Sequence, residues 1–171
     1  METLTSALTN WKQLTHELGK SFAERAEEMD KQGSFVFENY DELKAHKYFS
    51  AAVPEELGGG GVTHSEMCNI LRIMAQYCGS TALAYSMHQH LIAATIWRYK
   101  NKGEGIPMLQ KVANNQLVLV STGARDWLDS NGEMKKTDGG YLVSAKKHFA
   151  SQSIAGDIAV TSAPYLHPEN G

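Results

Sequence analysis

The chain has 171 residues, a formal net charge of −3, 42% apolar residues and 20% charged residues. This is ordinary globular composition, with room for one domain and part of a second, and a core that needs no disulfide or metal staple. The mild charge argues against a nucleic-acid or lipid-headgroup surface, because no Lys/Arg cluster is long enough and the pairs Lys135-Lys136 and Lys146-Lys147 sit among strand-forming residues.

The first predicted element is an amphipathic helix. Trp11, Leu14, Leu18, Phe22, Ala26 and Met29 recur at intervals of three or four, which places them on one face, and Gly33 ends the run. Asn39 and Glu42 have capping-box spacing, which predicts a short helix over 40–47. Pro54 and the glycines at 58–61 break the chain. Thr63 and Glu66 repeat the capping-box spacing and predict a third helix through Tyr77. Gly79 separates it from a fourth, which Ser80 or Thr81 can cap. Two apolar stripes mark that fourth helix: Leu83, Met87, Leu91 and Ala94 form one, and Tyr85, Ile92, Ile96 and Tyr99 the other. A helix apolar on two sides is expected between other helices. Pro107 is tolerated in the first turn of a fifth helix over 106–114.

After Asn115 the pattern changes. Leu117–Val120 is a short apolar run of the kind buried strands show. Asp138-Gly139, between 133–137 and 140–151, is a strong hairpin signal, and 157–163 reads as a further strand. The expected fold class is α+β: an N-terminal all-α bundle of about five helices over residues 1–115, then a partial antiparallel β-domain over 116–171. Open strands at 117–122 and 157–163 could pair across a two-fold axis, so a homo-oligomer is expected, and a non-catalytic assembly module is one alternative function. So few strands with open edges, ending in the turn-like His167–Gly171, suggest part of a longer protein.

Candidate chemistry is sparse. The glycines at 58–61 lack G-x-G-x-x-G spacing and read as a connector rather than a phosphate cradle. His88 and His90 point about 200° apart on a helix and cannot share a metal; both are expected inside the bundle, with His64 on the surface. No metal site is expected. Cys68 and Cys78 read as two buried thiols in a reducing compartment. Met1–Thr5 lacks a basic or apolar leader, so a cytoplasmic location is expected. Residues 73–97 contain no Asp, Glu, Lys or Arg, yet their polar load argues against a membrane span. Ser121, Ser151 and Ser153 have no assigned base. Asp126 and Asp129, near Arg125, read as a solvated turn.

Four stretches resemble the acyl-CoA dehydrogenase superfamily. They are Asp30-x-x-Gly33-x-Phe35-x-Phe37-Glu38-Asn39, Val53-Pro-Glu-Glu-x-Gly-Gly-x-Gly61, Ser80-Thr81-Ala82-x-Ala84-x-Ser86-Met87-His88-x-His90-Leu91, and Gly140-Tyr141-Leu142-Val143 through Lys147-x-Phe149-x-Ser151 to Asp157. The resemblance implies an N-terminal helical domain, a central β-domain and a C-terminal four-helix domain, the last lying outside this chain. It implies FAD as cofactor and α,β-oxidation of an acyl thioester, with acyl-CoA or a related small molecule as substrate. Phe149, Ala150 and Ser151 fall on the family's Trp-Ile-Thr, which packs on the flavin ring and offers a hydroxyl toward it. Ser121 matches the leading hydroxyl of Thr-Glu-Pro-x-x-Gly-Ser-Asp, and the rest of that segment is missing over 122–126. The departure suggests a divergent member and admits a flavin-dependent monooxygenase as an alternative. No catalytic residue falls in this chain, since the family's glutamate base belongs to the C-terminal domain, so the chain by itself is expected to be inactive.

Overall fold

The computed structural model describes residues 9–123, 126 and 128–165. The chain divides into two compact units, residues 1–117 and 118–171. The first is helical: α1 (Trp11–Gln32), α2 (Phe37–Ala45), α3 (His64–Tyr77), α4 (Gly79–Lys102) and α5 (Ile106–Asn115), with 3-10 turns at Tyr48–Ser50 and Glu55–Leu57. The second contains β1 (Leu119–Ser121), β2 (Glu133–Thr137), β3 (Gly140–Ser144) and β4 (Ile158–Val160). Among the described residues no helix is long and apolar enough to cross a membrane.

In the helical unit α1 and α4 both pack on α3. The predicted stripe of α1 is the face turned inward: Phe22 is fully buried and Trp11, Leu14, Leu18, Ala26 and Met29 are half-buried. Gly19 interrupts this helix for a packing reason, because a Cβ there would lie 2.2 Å from the Tyr77 ring of α3. The capping box at Thr63 and Glu66 is present.

Three predicted details differ. Asn39 does not cap α2, which starts two residues earlier behind Val36. Its side chain is buried, accepting from Arg25 Nε at 2.9 Å and donating to Thr81 Oγ1 at 2.7 Å. This tertiary network outcompetes the local cap. Neither Ser80 nor Thr81 caps α4, whose N-cap is Cys78 without a side-chain bond; Thr81 is buried in the same network. On α4, the buried face carries Tyr85, His88, Gln89 and Ile92, whereas Leu83 is 64% exposed and Ala94 is exposed. Apolar spacing marked two faces, and this unit covers only one of them.

The glycine run behaves as a connector folded onto the segment before it. A Cβ on Gly59 would stand 2.1 Å from the Val53 carbonyl oxygen, and Gly61 has φ +64°, so neither position accepts a side chain without displacement.

In the second unit β2 and β3 form the antiparallel hairpin expected around Asp138-Gly139, with Glu133 opposite Ser144 and Thr137 opposite Gly140. β3 stops at Ser144 instead of continuing to Ser151. Beyond it Lys147 turns its ammonium to the Asn131 carbonyl, 3.0 Å away, and Phe149 adopts φ +60°, which no strand ladder accommodates. The other pair, β1 and β4, is parallel, with Leu119 opposite Ile158. A parallel partner requires a crossover rather than a tight turn, and the hairpin lies within that crossover.

Candidate functional site

Among the described residues each unit contains a concavity of ligand size. In the second unit a cavity of about 410 Å³ is lined by Thr122, Gly123, Asp126, Asp129, Ser130, Asn131, His148 and Phe149. Its floor is a buried polar cluster. The Lys147 ammonium pairs with Asp126 and donates to Ser130 Oγ at 3.1 Å and the Asn131 carbonyl at 3.0 Å. The two charged side chains are only 12% and 6% exposed. Thr122 donates to Asp126 Oδ2 at 2.6 Å, and Ser162 donates to the Asp126 main-chain carbonyl at 2.9 Å. The Lys147 ammonium, then the Thr122 hydroxyl, hold the Asp126 carboxyl well below the usual carboxylate range. Asp126 is therefore a buried anchor and not the solvated turn residue expected from the sequence.

Of the residues predicted to touch a flavin, Phe149 lines this cavity, with its ring 86% exposed on a left-handed backbone. Ala150 is half-buried and Ser151 exposed in the turn that follows, and neither lines the cavity. Ser121 is buried in β1 opposite Val160, while its neighbour Thr122 reaches the cavity. Gly123 brings its main chain against that of His148 and Phe149, a Cβ there lying 3.4 Å from the His148 carbonyl. A bare aromatic face, a backbone edge and an exposed hydroxyl nearby fit a planar heteroaromatic ring.

The helical unit contains a larger groove of about 870 Å³ between the Pro54–Thr63 segment, α3 and α4. Met67, Leu71, Met87, Ala93, Ile96 and Trp97 form apolar wall; His64, Ser86, Gln89, His90 and Lys100 supply polar groups. The volume falls in the range typical of small-molecule sites, about 300–1,000 Å³. Of the stripe that reads as core in the sequence, Met87 lines this groove, whereas exposed Leu83 and Ala94 lie outside it.

The histidines separate as their spacing requires. His88 is fully buried and its Nε2–H donates to the Phe49 carbonyl at 2.8 Å; burial pushes its pKa down to about 4. His90 is exposed at the groove, contrary to the expectation of a second buried histidine. His64 is on the surface as expected. Cys78 is buried but Cys68 is exposed, its Sγ 3.9 Å from His64 Nε2, so only one of the two thiols is a core residue. The i, i+4 spacing of His64 and Cys68 is the signal that could have revealed their contact. Among the described residues no group of three or more His, Cys, Asp or Glu could hold a metal ion.

The family model of the acyl-CoA dehydrogenase N-terminal domain matches residues 12–115, the span of the helical bundle. The chain belongs to that family. Dibenzothiophene monooxygenase of Mycolicibacterium goodii is 25% identical over 168 residues, which cover 93% of this chain and 40% of that protein. The putative acyl-CoA dehydrogenase YdbM of Bacillus subtilis is 25% identical over 167 residues, covering 90% of this chain and 42% of that protein. FMN-bound TdsC from Paenibacillus sp. A11-2 superposes with a TM-score of 0.82 at 17% identity, over 95% of this chain and 42% of TdsC. The chain thus spans about two fifths of the length of these relatives.

Proposed function

We propose that this chain supplies part of the flavin cradle and an apolar substrate wall of a flavin-dependent oxidoreductase. The observation that carries the reading is Phe149: an aromatic ring 86% exposed, on a φ of +60°, at the rim of a ligand-sized cavity. Left-handed backbone at a bulky residue costs energy and persists where surrounding structure enforces it, commonly at functional sites. Lys147, held by Asp126, Ser130 and the Asn131 carbonyl, anchors the chain two residues before it. Phe149 offers its face to the ring system; Ala150 and Ser151, which the resemblance sets beside it, stand in the turn just outside the cavity lining. Ser121 supports the cradle from β1, through Thr122. When bound, a flavin supplies two-electron redox chemistry, as hydride acceptor or, reduced, as the partner of molecular oxygen. FAD is the cofactor the resemblance implies. FMN, present in the TdsC structure, carries the same ring.

Two reactions suit this arrangement: α,β-dehydrogenation of an acyl thioester such as an acyl-CoA, and monooxygenation of an apolar small molecule. The second is favoured. The segment after β1 lacks the Glu-Pro and Gly-Ser-Asp of the dehydrogenase motif, and Asp126 is engaged by Lys147. A monooxygenase and a putative acyl-CoA dehydrogenase are matched over nearly the whole chain at the same identity, so the preference rests on this segment. In either case the remaining part of a family-length protein completes the site, the 171-residue chain alone does not turn over, and the cytoplasm is the expected compartment.

The test has two stages. FMN and FAD are titrated into the purified chain and flavin fluorescence is followed; Phe149→Ala should weaken quenching at least about tenfold. Equal quenching by wild type and variant would remove Phe149 from the site. The full product of the gene is then given reduced flavin and oxygen uptake is measured, beside dye reduction with acyl-CoA substrates. Substrate-dependent oxygen uptake supports monooxygenation, and dye reduction without it supports dehydrogenation.

A further inference from the structure

One residue bordering the groove in the helical unit carries a buried hydrogen-bond acceptor that has no partner among the described residues. That residue, Gln89, is only 4% exposed. Its amide orientation is set by two buried tyrosines. Tyr85 donates its hydroxyl hydrogen to the Tyr48 carbonyl at 2.6 Å. Gln89 Nε2 donates to Tyr85 Oη at 2.7 Å and to the Tyr48 carbonyl at 3.3 Å. A flipped amide would put Oε1 against two oxygens with no hydrogen between them, so Oε1 stays on the other side. There it has no partner among the described residues. Ser86, one turn earlier, cannot serve, because it donates to the Leu83 carbonyl at 2.7 Å. Buried side-chain acceptors are rarely left unpaired, and one beside a ligand-sized groove marks where a donor is expected.

We infer that the groove accepts an apolar molecule carrying an N–H or O–H donor that pairs with Gln89 Oε1, which makes Gln89 a specificity-determining residue. The inference rests on the reading of the groove as a substrate wall. Met67, Leu71, Met87, Ile96 and Trp97 provide the apolar surface. Oε1 is shielded from bulk water, so the donor reaches it through movement of the wall, and unbranched Met67 and Met87 are suited to such movement. A ligand of the same shape without the donor would cover the acceptor and leave it unpaired, so such a groove discriminates by chemistry at one point and by size elsewhere.

The experiment compares 2-naphthol with 2-methoxynaphthalene by isothermal titration calorimetry on the purified chain, in wild type, Gln89→Met and Ala93→Leu. Ala93 lines the groove, so the added bulk reports whether the probes occupy it. The expected result is at least about tenfold tighter binding of 2-naphthol by wild type. Gln89→Met removes that preference and Ala93→Leu weakens both probes. Equal binding of both probes by wild type, with Ala93→Leu still weakening them, overturns the inference and leaves the groove reading standing. A preference that survives in Gln89→Met overturns it as well, because another acceptor would be reading the hydroxyl. Absence of binding by either probe, or binding indifferent to Ala93→Leu, overturns the groove reading and the inference together. Equal binding of the two probes by wild type overturns the inference even if a variant fails to fold.

Discussion

Buried His88 makes the helical unit sensitive to mild acid. The ring is fully buried in α4, its Nε2–H bonded to the Phe49 carbonyl and its plane stacked on Tyr85 with centroids 6.3 Å apart. Burial depresses the folded pKa from 6.5 to about 4; the bond to Phe49 opposes this shift and His90 adds to it. The unfolded chain therefore binds the proton more readily. Stability contributed by neutral His88 is complete above pH 6.5 and is lost as pH falls from 6.5 toward 4. The full difference corresponds to about 3 kcal/mol, and the slope near pH 5.5 to about 1.2 kcal/mol per pH unit. Tyr48, pushed up to about 12 by burial, does not titrate in this window. Glu66 and Asp126, both shifted down, lose their contributions below the ordinary carboxylate pKa, at lower pH than most of the His88 effect. Urea unfolding followed by far-UV circular dichroism at pH 7.5, 6.5, 5.5 and 5.0 measures the slope. His88→Gln keeps an N–H for Phe49 and removes the titration, so its curve should be flatter by about 1 kcal/mol per pH unit. Parallel pH dependence in wild type and His88→Gln would refute the assignment of a buried neutral imidazole.

Four further substitutions test the framework of the two units. Lys147→Met leaves the Asp126 carboxylate buried without its cation and should destabilise the second unit; adding Asp126→Asn should recover part of the loss, and urea unfolding of both variants tests the order. Gly59→Ala drives a methyl group into the Val53 carbonyl and should cost about 1–3 kcal/mol, read as a lower thermal midpoint of the helical signal. Thr63→Ala removes the cap of α3 and should cost about 1 kcal/mol by the same measurement.

Comparing Thr63 with Asn39 shows what could be read from sequence. Both residues precede a glutamate by three positions, and only Thr63 caps a helix. Thr63 is exposed, so no tertiary partner competes for its hydroxyl, and local spacing decides. Asn39 is buried between Arg25 of α1 and Thr81 of α4, and its partners come from residues far away in the chain. The same division applies to the candidate sites. Helix positions, the hairpin at Asp138-Gly139 and the connector at 58–61 follow from short-range patterns, whereas Phe149 is singled out only by resemblance to a family segment. The Lys147–Asp126 pair joins residues 21 positions apart; nothing in either local stretch separates it from surface charge. The groove was hidden for a different reason. Periodicity through Leu83, Met87 and Leu91 identifies an apolar face, and burial of that face depends on what stands opposite. Leu91 is buried, Met87 borders a cavity and Leu83 is exposed outside it, so one apolar stripe has three different surroundings that spacing alone does not separate.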